Sequence, residues 1–322
     1  MKFQDKISIV MSVYNGERYI KEAIDSVLSQ RFSDFEFIIV NDGSIDKTEY
    51  ILEDYKRMHS QFVIIHKDNT GLSNSLNVGL AHATGKYIAR LDADDVCVSG
   101  RLLRQYNFLE NNKDIALVGS NHILINYEGK VIRNSSFGSL SPNDCLSKLQ
   151  QRSIPFAHSS WLVRTEAILD IGGYDEFYQH SEDYDLLLRL SEKYHMSCLA
   201  DSLIMLRKLL TSKSYDGDFL QFSYTTVALL SYDLRQQGLC GTYSNEQLLK
   251  AVNQWVERYE ILKYLSSYRS LTFGKYDIAT GRIAKGVMQL ISAVSKDPLI
   301  LIHLRKHREL SDEVKKNILA LA

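Results

Sequence analysis

Short apolar runs and amphipathic stretches alternate through the first part of the chain. Ile7 to Val13 is apolar and β-rich and predicts a buried strand. Tyr14-Asn15-Gly16 interrupts it. Tyr19, Ile20, Ala23, Ile24, Val27 and Leu28 then recur at helical spacing. Phe35 to Val40 predicts a second strand, closed by the turn Asn41-Asp42-Gly43-Ser44. Asp46 and Glu49 form a predicted capping pair for a helix through Tyr50, Ile51 and Tyr55. Phe62 to Ile65 predicts a third strand, followed by the turn Asn69-Thr70-Gly71-Leu72-Ser73 and a helix through Leu76, Leu80 and Ala83. Tyr87 to Leu91 predicts a fourth strand, which runs into Asp92-Ala93-Asp94-Asp95. This alternation predicts an α/β fold: a Rossmann-like, mostly parallel sheet flanked by helices, with right-handed crossovers.

Further on, Ser99 to Asn111 predicts a Ser-capped helix and Ile115 to Ile125 a strand. Glu128-Gly129-Lys130 predicts a hairpin turn returning through Val131-Ile132. An amphipathic helix carries Leu186, Leu187, Leu190 and Tyr194, with Ser181, Glu182 and Asp183 in its first turn. From Asp218 the pattern is helical. Leu220, Val227, Leu230 and Leu234 suit one helix, Leu248 to Leu262 a second, and Ile283 to Val294 a third. The predicted division is a catalytic domain over 1–215 and an α-helical extension over 216–322.

Composition narrows the class. The 322 residues are 45% hydrophobic and 24% charged, ordinary for a globular protein. A net charge of −1 offers no basic field for nucleic acid. The four cysteines form no CxxC pair, which fits a reducing cytosol and argues against a zinc site or disulfide scaffold. No signal peptide or membrane-spanning run is predicted, so a cytoplasmic location is expected. The last segment sets Lys296, Arg305, Lys306, Arg308, Lys315 and Lys316 among Leu299, Ile300, Leu301, Ile302 and Leu304. That mixture is compatible with peripheral contact at the inner face of an anionic membrane, although a solvated helix face is the commoner reading. Homo-oligomer formation is left open.

Ligands of open α/β sheets bind outside the carboxyl ends of the strands. Tyr14-Asn15, Asn41-Asp42 and Asp92-Ala93-Asp94 all fall there. Each alone reads as a turn; their convergence on one edge points to a site. In extended geometry Asp92 and Asp94 share a side and Asp95 points away. Neighbouring carboxylates repel unless a cation sits among them, and hard oxygen ligands suit Mn2+ or Mg2+ bridged to phosphates. No GxGxxG or GxxxxGK[ST] loop follows the first strand, so no glycine cradle holds a nucleotide.

The combination and order of these motifs resemble family 2 glycosyltransferases of the GT-A fold. The likeness rests on Val13-Tyr14-Asn15, Asn41-Asp42-Gly43-Ser44, Asn69-Thr70-Gly71-Leu72-Ser73, Leu91-Asp92-Ala93-Asp94-Asp95, Gly172-Gly173-Tyr174-Asp175-Glu176 and Ser181-Glu182-Asp183-Tyr184-Asp185. It implies a nucleotide-sugar donor, with a UDP-sugar favoured. Val13, Tyr14 and Asn15 would lie against the nucleotide and Asp42 would bond the base. Asn69, Gly71, Leu72 and Ser73 would line the nucleotide, and Asp92 with Ala93 would hold ribose or sugar. Asp94 would ligate Mn2+ or Mg2+. Arg90, His158 and Arg207 are donor-sugar or phosphate candidates, although an ion pair for Arg90 and a structural role for His158 fit as well. Asp183 is the implied catalytic base, with Glu182 as the substitute; the plainer reading of both is helix capping.

The resemblance further implies inverting, metal-assisted transfer of one sugar to an acceptor hydroxyl. The acceptor would be a saccharide or lipid-linked or protein-linked, in bacterial surface polysaccharide or glycoconjugate assembly. Many relatives carry a Tyr-Arg-x-His stretch where this chain has Leu206-Arg207-Lys208-Leu209, so a metal-binding histidine is missing; Lys208 and Lys213 are alternative partners for a diphosphate. The Gln-x-x-Arg-Trp signature of processive synthases is also absent. Two other readings are a non-catalytic nucleotide-sugar-binding protein and a nucleotidyltransferase. The second lacks its Gly- and Arg-rich loop here.

Overall fold

The computed structural model describes residues 3–135, 138–208 and 218–258. The chain divides into two compact units, residues 1–208 and 209–322. In the first unit, β1 (Gln4–Val13), β2 (Phe35–Asp42), β3 (Phe62–Lys67) and β4 (Gly85–Arg90) pair in parallel in the order β3-β2-β1-β4. All eight residues of β2 are buried, as expected of a strand covered on both faces. Helices α1 (Ile20–Leu28), α2 (Thr48–Met58) and α3 (Leu72–His82) are the crossovers. Ile7, Ile9, Met11, Phe37 and Ile39 point into one core with Ile24, Leu52 and Leu102. Each such side chain stabilises the fold by roughly 1.5–3 kcal/mol through burial.

Beyond β4 the sheet becomes mixed. A two-residue strand β5 (Val96–Cys97), α4 (Arg101–Asn111), β6 (Ile115–Ile125), β7 (Val131–Ser135), α5 (Pro142–Gln150), β8 (Leu162–Arg164), α6 (Thr165–Asp170), α7 (Glu182–Ser191) and β9 (His195–Arg207) follow. β8 lies antiparallel between β4 and β6, while β6 pairs in parallel with β9 and antiparallel with β7. The expected hairpin through Gly129 is the β6–β7 pair.

Two helix starts differ from expectation. Asp46 does not form a box with Glu49; its carboxylate accepts the Thr48 and Glu17 N–H groups at 3.0 Å each, tying α2 to the loop after β1. The helix after the acidic turn starts behind Gly100, in a left-handed conformation open to glycine, and Ser99 supplies no cap.

In the second unit, α8 (Asp218–Gln236) and α9 (Asn245–Arg258) pack as a pair. Val227, Leu230, Leu248 and Val252 are buried. The predicted helix over Ile283–Val294 and the basic segment from Lys296 lie outside the described residues. Among the described residues no helix is long and apolar enough to cross a membrane.

Candidate active site

The carboxyl edge of β1, β2, β3 and β4 gathers the polar turns. After β1, Val13 is buried and Tyr14 exposed, while Asn15 adopts φ 52. Asn15 is held there by bonds with the next turn: its N–H donates to Ser44 Oγ and its Oδ1 accepts from Ile45 N–H, both at 2.9 Å. Asp42, only 3% exposed, ends β2. It accepts from Lys67 Nζ at 2.6 Å, Thr70 N–H at 2.9 Å and Gly71 N–H at 3.0 Å. Burial alone would raise this carboxyl, but bonds from Lys67, Thr70, Ser75 and Gly71 together hold it below the ordinary range. Asp42 therefore stays ionised and shapes the Asn69–Ser73 loop. Gly71 carries φ 95 at the start of α3, a backbone that side chains rarely adopt. Leu72 is half-buried, Asn69 exposed, and Ser73 donates to the Tyr178 carbonyl at 3.2 Å.

The acidic turn follows β4. Arg90 is 3% exposed and lies 2.6 Å from Asp92 Oδ1; apart from this ion pair its guanidinium nitrogens have no hydrogen-bond partner. Asp92 is also clamped by Ser159, whose hydroxyl accepts the Asp92 N–H at 3.0 Å and donates to Asp92 Oδ2 at 2.6 Å. Burial opposes ionisation of Asp92, and the charge of Arg90 leads the effects that hold its pKa down. Ala93 and Asp94 are half-buried. The Asp94 carboxyl is pushed up to about 6, first by burial and then by the charge of Asp92. Asp95 turns inward, 1% exposed, and accepts the Arg207 N–H at 2.8 Å. Burial, then the Asp94 and Asp92 charges, raise its pKa strongly. It is a structural member of the turn.

Arg207 fastens this turn from β9. Its Nε donates to the Asp94 carbonyl at 2.8 Å, Nη1 to the Asn126 carbonyl at 3.2 Å, and Nη2 pairs with Glu22. Its guanidinium also lies 4.5 Å from the centre of the Tyr19 ring. These bonds fit a supporting part better than a free phosphate contact. Lys213 lies outside the described residues.

The remaining parts come from late in the chain. A 3-10 turn, His158–Ser160, precedes β8. His158 Nε2 and the Tyr174 hydroxyl share a hydrogen bond of 2.7 Å, and the imidazole lies 4.4 Å from the Trp161 ring centre. Burial, then the charge of Arg90, lower its pKa well below the ordinary value, so the ring is neutral. Asp183 stands in the first turn of α7 and Glu182 beside it is half-buried. Ser181 adopts φ 62 and makes no side-chain cap, so it does not start the helix as a capping serine. Asp183 accepts the Tyr184 N–H at 2.7 Å. Burial pushes its carboxyl up to about 6, and the charge of Asp92 adds to the rise.

Asp94 and Asp183 thus both lie in the field of Asp92 and Arg90. A pocket of about 250 Å³ opens beside Asp183, lined among others by His122, Phe156, His158 and Leu206. Gly119 makes room for the Phe156 ring in the pocket wall: a Cβ there would meet Phe156 Cγ at 2.2 Å.

Among the described residues no group of three metal-ligating side chains exists. The donor set still fits a cation. Mg2+ is commonly held by one or two carboxylates plus substrate phosphates, and Asp94 offers one such carboxylate, since both oxygens of Asp92 are already engaged by Arg90 and Ser159.

Sequence reasoning missed Ser159 and Lys67. Lys67 was findable, because it ends β3 on the same edge as Asp42. Ser159 gave no signal; only the fold brings it to Asp92.

The sheet order and the polar turns gathered at its carboxyl edge define an α/β protein of the GT-A fold. Staphylococcus aureus TarS in complex with UDP-GlcNAc superposes with a TM-score of 0.61, covering 97% of this chain and 89% of that one at 18% identity. The profile of glycosyl transferase family 2 matches residues 8–172, just over half of the chain, and the protein belongs to that family. Bacillus subtilis EpsE, provisionally named a glycosyltransferase, is 34% identical over 192 residues, 58% of this chain and 67% of its own. The Escherichia coli O-antigen biosynthesis glycosyltransferase WbnJ is 33% identical over 192 residues, 59% of this chain and 73% of its own. Asp183 lies beyond the stretch that the family profile matches.

Proposed function

We propose that the protein transfers a single sugar from a nucleotide-diphosphate sugar, a UDP-sugar by preference, to an acceptor hydroxyl with inversion. The observation that carries this reading is the raised carboxyl of Asp183, beside a pocket and within the field of Asp92 and Arg90. A carboxyl with a pKa of about 6 is ionised at neutral pH and is a better proton acceptor than an ordinary aspartate. It would take the acceptor proton as that oxygen attacks the anomeric carbon. Asp42 and the Asn69–Ser73 loop would receive the base, and Asp92 the ribose or sugar. Asp94 would hold Mn2+ or Mg2+, which supplies charge neutralisation at the departing nucleotide diphosphate. His158, neutral and bonded to Tyr174, would face the diphosphate as a dipole.

The UDP and UDP-GlcNAc complexes of TarS support a uridine nucleotide. The O-antigen role in the name of WbnJ supports surface polysaccharide or glycoconjugate assembly. A thermal-shift panel of nucleotide sugars with and without Mn2+, followed by transfer assays on the binders, tests the proposal. A UDP-sugar should raise the melting point and be turned over. A protein stabilised by no nucleotide sugar, or one that binds without turnover, would contradict it.

A further inference from the structure

The face that continues outward from the Asp183 pocket carries two cations. Leu124 on β6 opposes Arg133 on β7 and Leu206 on β9. Opposed residues, and residues two apart, share a face of a sheet. His122, Leu206 and Arg133 therefore lie on one face. Lys208 continues it two positions past Leu206, and its N–H is still bonded to the Ile125 carbonyl at 2.9 Å. His122 and Leu206 line the pocket. Arg133 is exposed, with its Nε bonded to Ser135 Oγ at 3.2 Å. Burial lowers the pKa of His122, and the charges of Arg133 and Lys208 add to the drop.

Among the described residues the pocket lining itself contains no lysine or arginine. Ile154, Pro155, Phe156 and Leu206 offer apolar surface to the C–H face of a sugar, and Asp183 is the carboxyl among the described lining residues. A neutral unit suits the interior, and an anion suits the rim.

We propose that Arg133 and Lys208 form an anion subsite for the acceptor, which presents a neutral sugar hydroxyl to Asp183 and carries an anionic group, a phosphate or carboxylate, on the adjoining unit. This rests on the reading of the cleft as a glycosyl-transfer site and specifies the acceptor class for it.

The test is NMR titration of the full chain with the donor side filled by UDP and Mg2+. The probes are a neutral hexose, its 6-phosphate and the matching hexuronate, read on the His122 ring resonances. The anionic probes should bind about tenfold tighter than the neutral one, as charge-assisted hydrogen bonds allow. Arg133→Gln and Lys208→Gln should each remove most of that preference, and so should high salt. Whichever of the two anions binds tighter identifies the chemistry carried by the acceptor. Equal binding of neutral and anionic probes would overturn the subsite, as would a preference that survives in both variants. Loss of UDP affinity in the variants, with hexose phosphate binding unchanged, would assign the cations to the donor instead. Failure of the wild-type protein to bind UDP at all would count against the glycosyl-transfer reading, and the subsite would fall with it.

Discussion

Replacing Asp183 by Asn should remove transfer and stabilise the fold at the same time. Burial, with the charge of Asp92 adding to it, raises the carboxyl from 3.8 to about 6. At 1.36 kcal/mol per unit, the folded state carries up to about 3 kcal/mol of unfavourable charge at neutral pH. Solvent reaches this half-buried group, so about 1–2 kcal/mol is the working figure. Asn keeps an oxygen to accept the Tyr184 N–H, so no bond is lost in exchange. A raised folded-state pKa means that the native protein binds the proton more tightly than the unfolded chain. Wild-type stability from this group therefore falls as pH rises from about 4 to 6, and the full deficit is present above 6. Urea unfolding at pH 8 should show Asp183→Asn more stable by about 1–2 kcal/mol, with the difference gone near pH 4. UDP-sugar affinity should stay within a few-fold while transfer is abolished. A variant that is less stable at pH 8 would refute the electrostatic part of the reasoning, and one that turns over normally would refute the chemical part.

Three further outcomes are expected. The kcat/KM of the wild-type enzyme should fall below a pH of about 6 as Asp183 takes up a proton, read from a pH–rate profile at saturating cation. Ser159→Ala should unclamp Asp92 and lower kcat/KM roughly tenfold with a raised donor KM, because a bond to a charged group contributes about 1.5–3 kcal/mol. Ser159→Thr should restore part of it, and steady-state kinetics decides. Gly119→Ala should drive a methyl into Phe156 and destabilise the fold by about 1–3 kcal/mol, measured by thermal unfolding.

Apolar periodicity in the sequence located the four parallel strands and their crossover helices, because each buried strand is a short apolar run bounded by turn residues. The strand β8 has three residues and no period, so its antiparallel insertion between β4 and β6 was not legible. The start of α4 differs from the Ser99 cap that the sequence predicts because backbone conformation decides it: Gly100 opens the helix in left-handed geometry, without a side-chain cap. The acidic turn was legible as a motif. Its supports were not, since Ser159 and Arg207 reach it across 67 and 113 positions of sequence. Arg207 carries the arginine of the expected motif, yet its bonds run to Asp94, Asn126 and Glu22.

The most direct measurement is the position of the donor sugar in crystals of Asp183→Asn with a UDP-sugar and Mn2+. The diphosphate should lie on Asp94, with the anomeric carbon turned toward the pocket. A hydroxyl oxygen placed about 3 Å from that carbon should reach residue 183. A sugar directed away from residue 183, or separated from it by packed side chains, would contradict the proposed reaction centre.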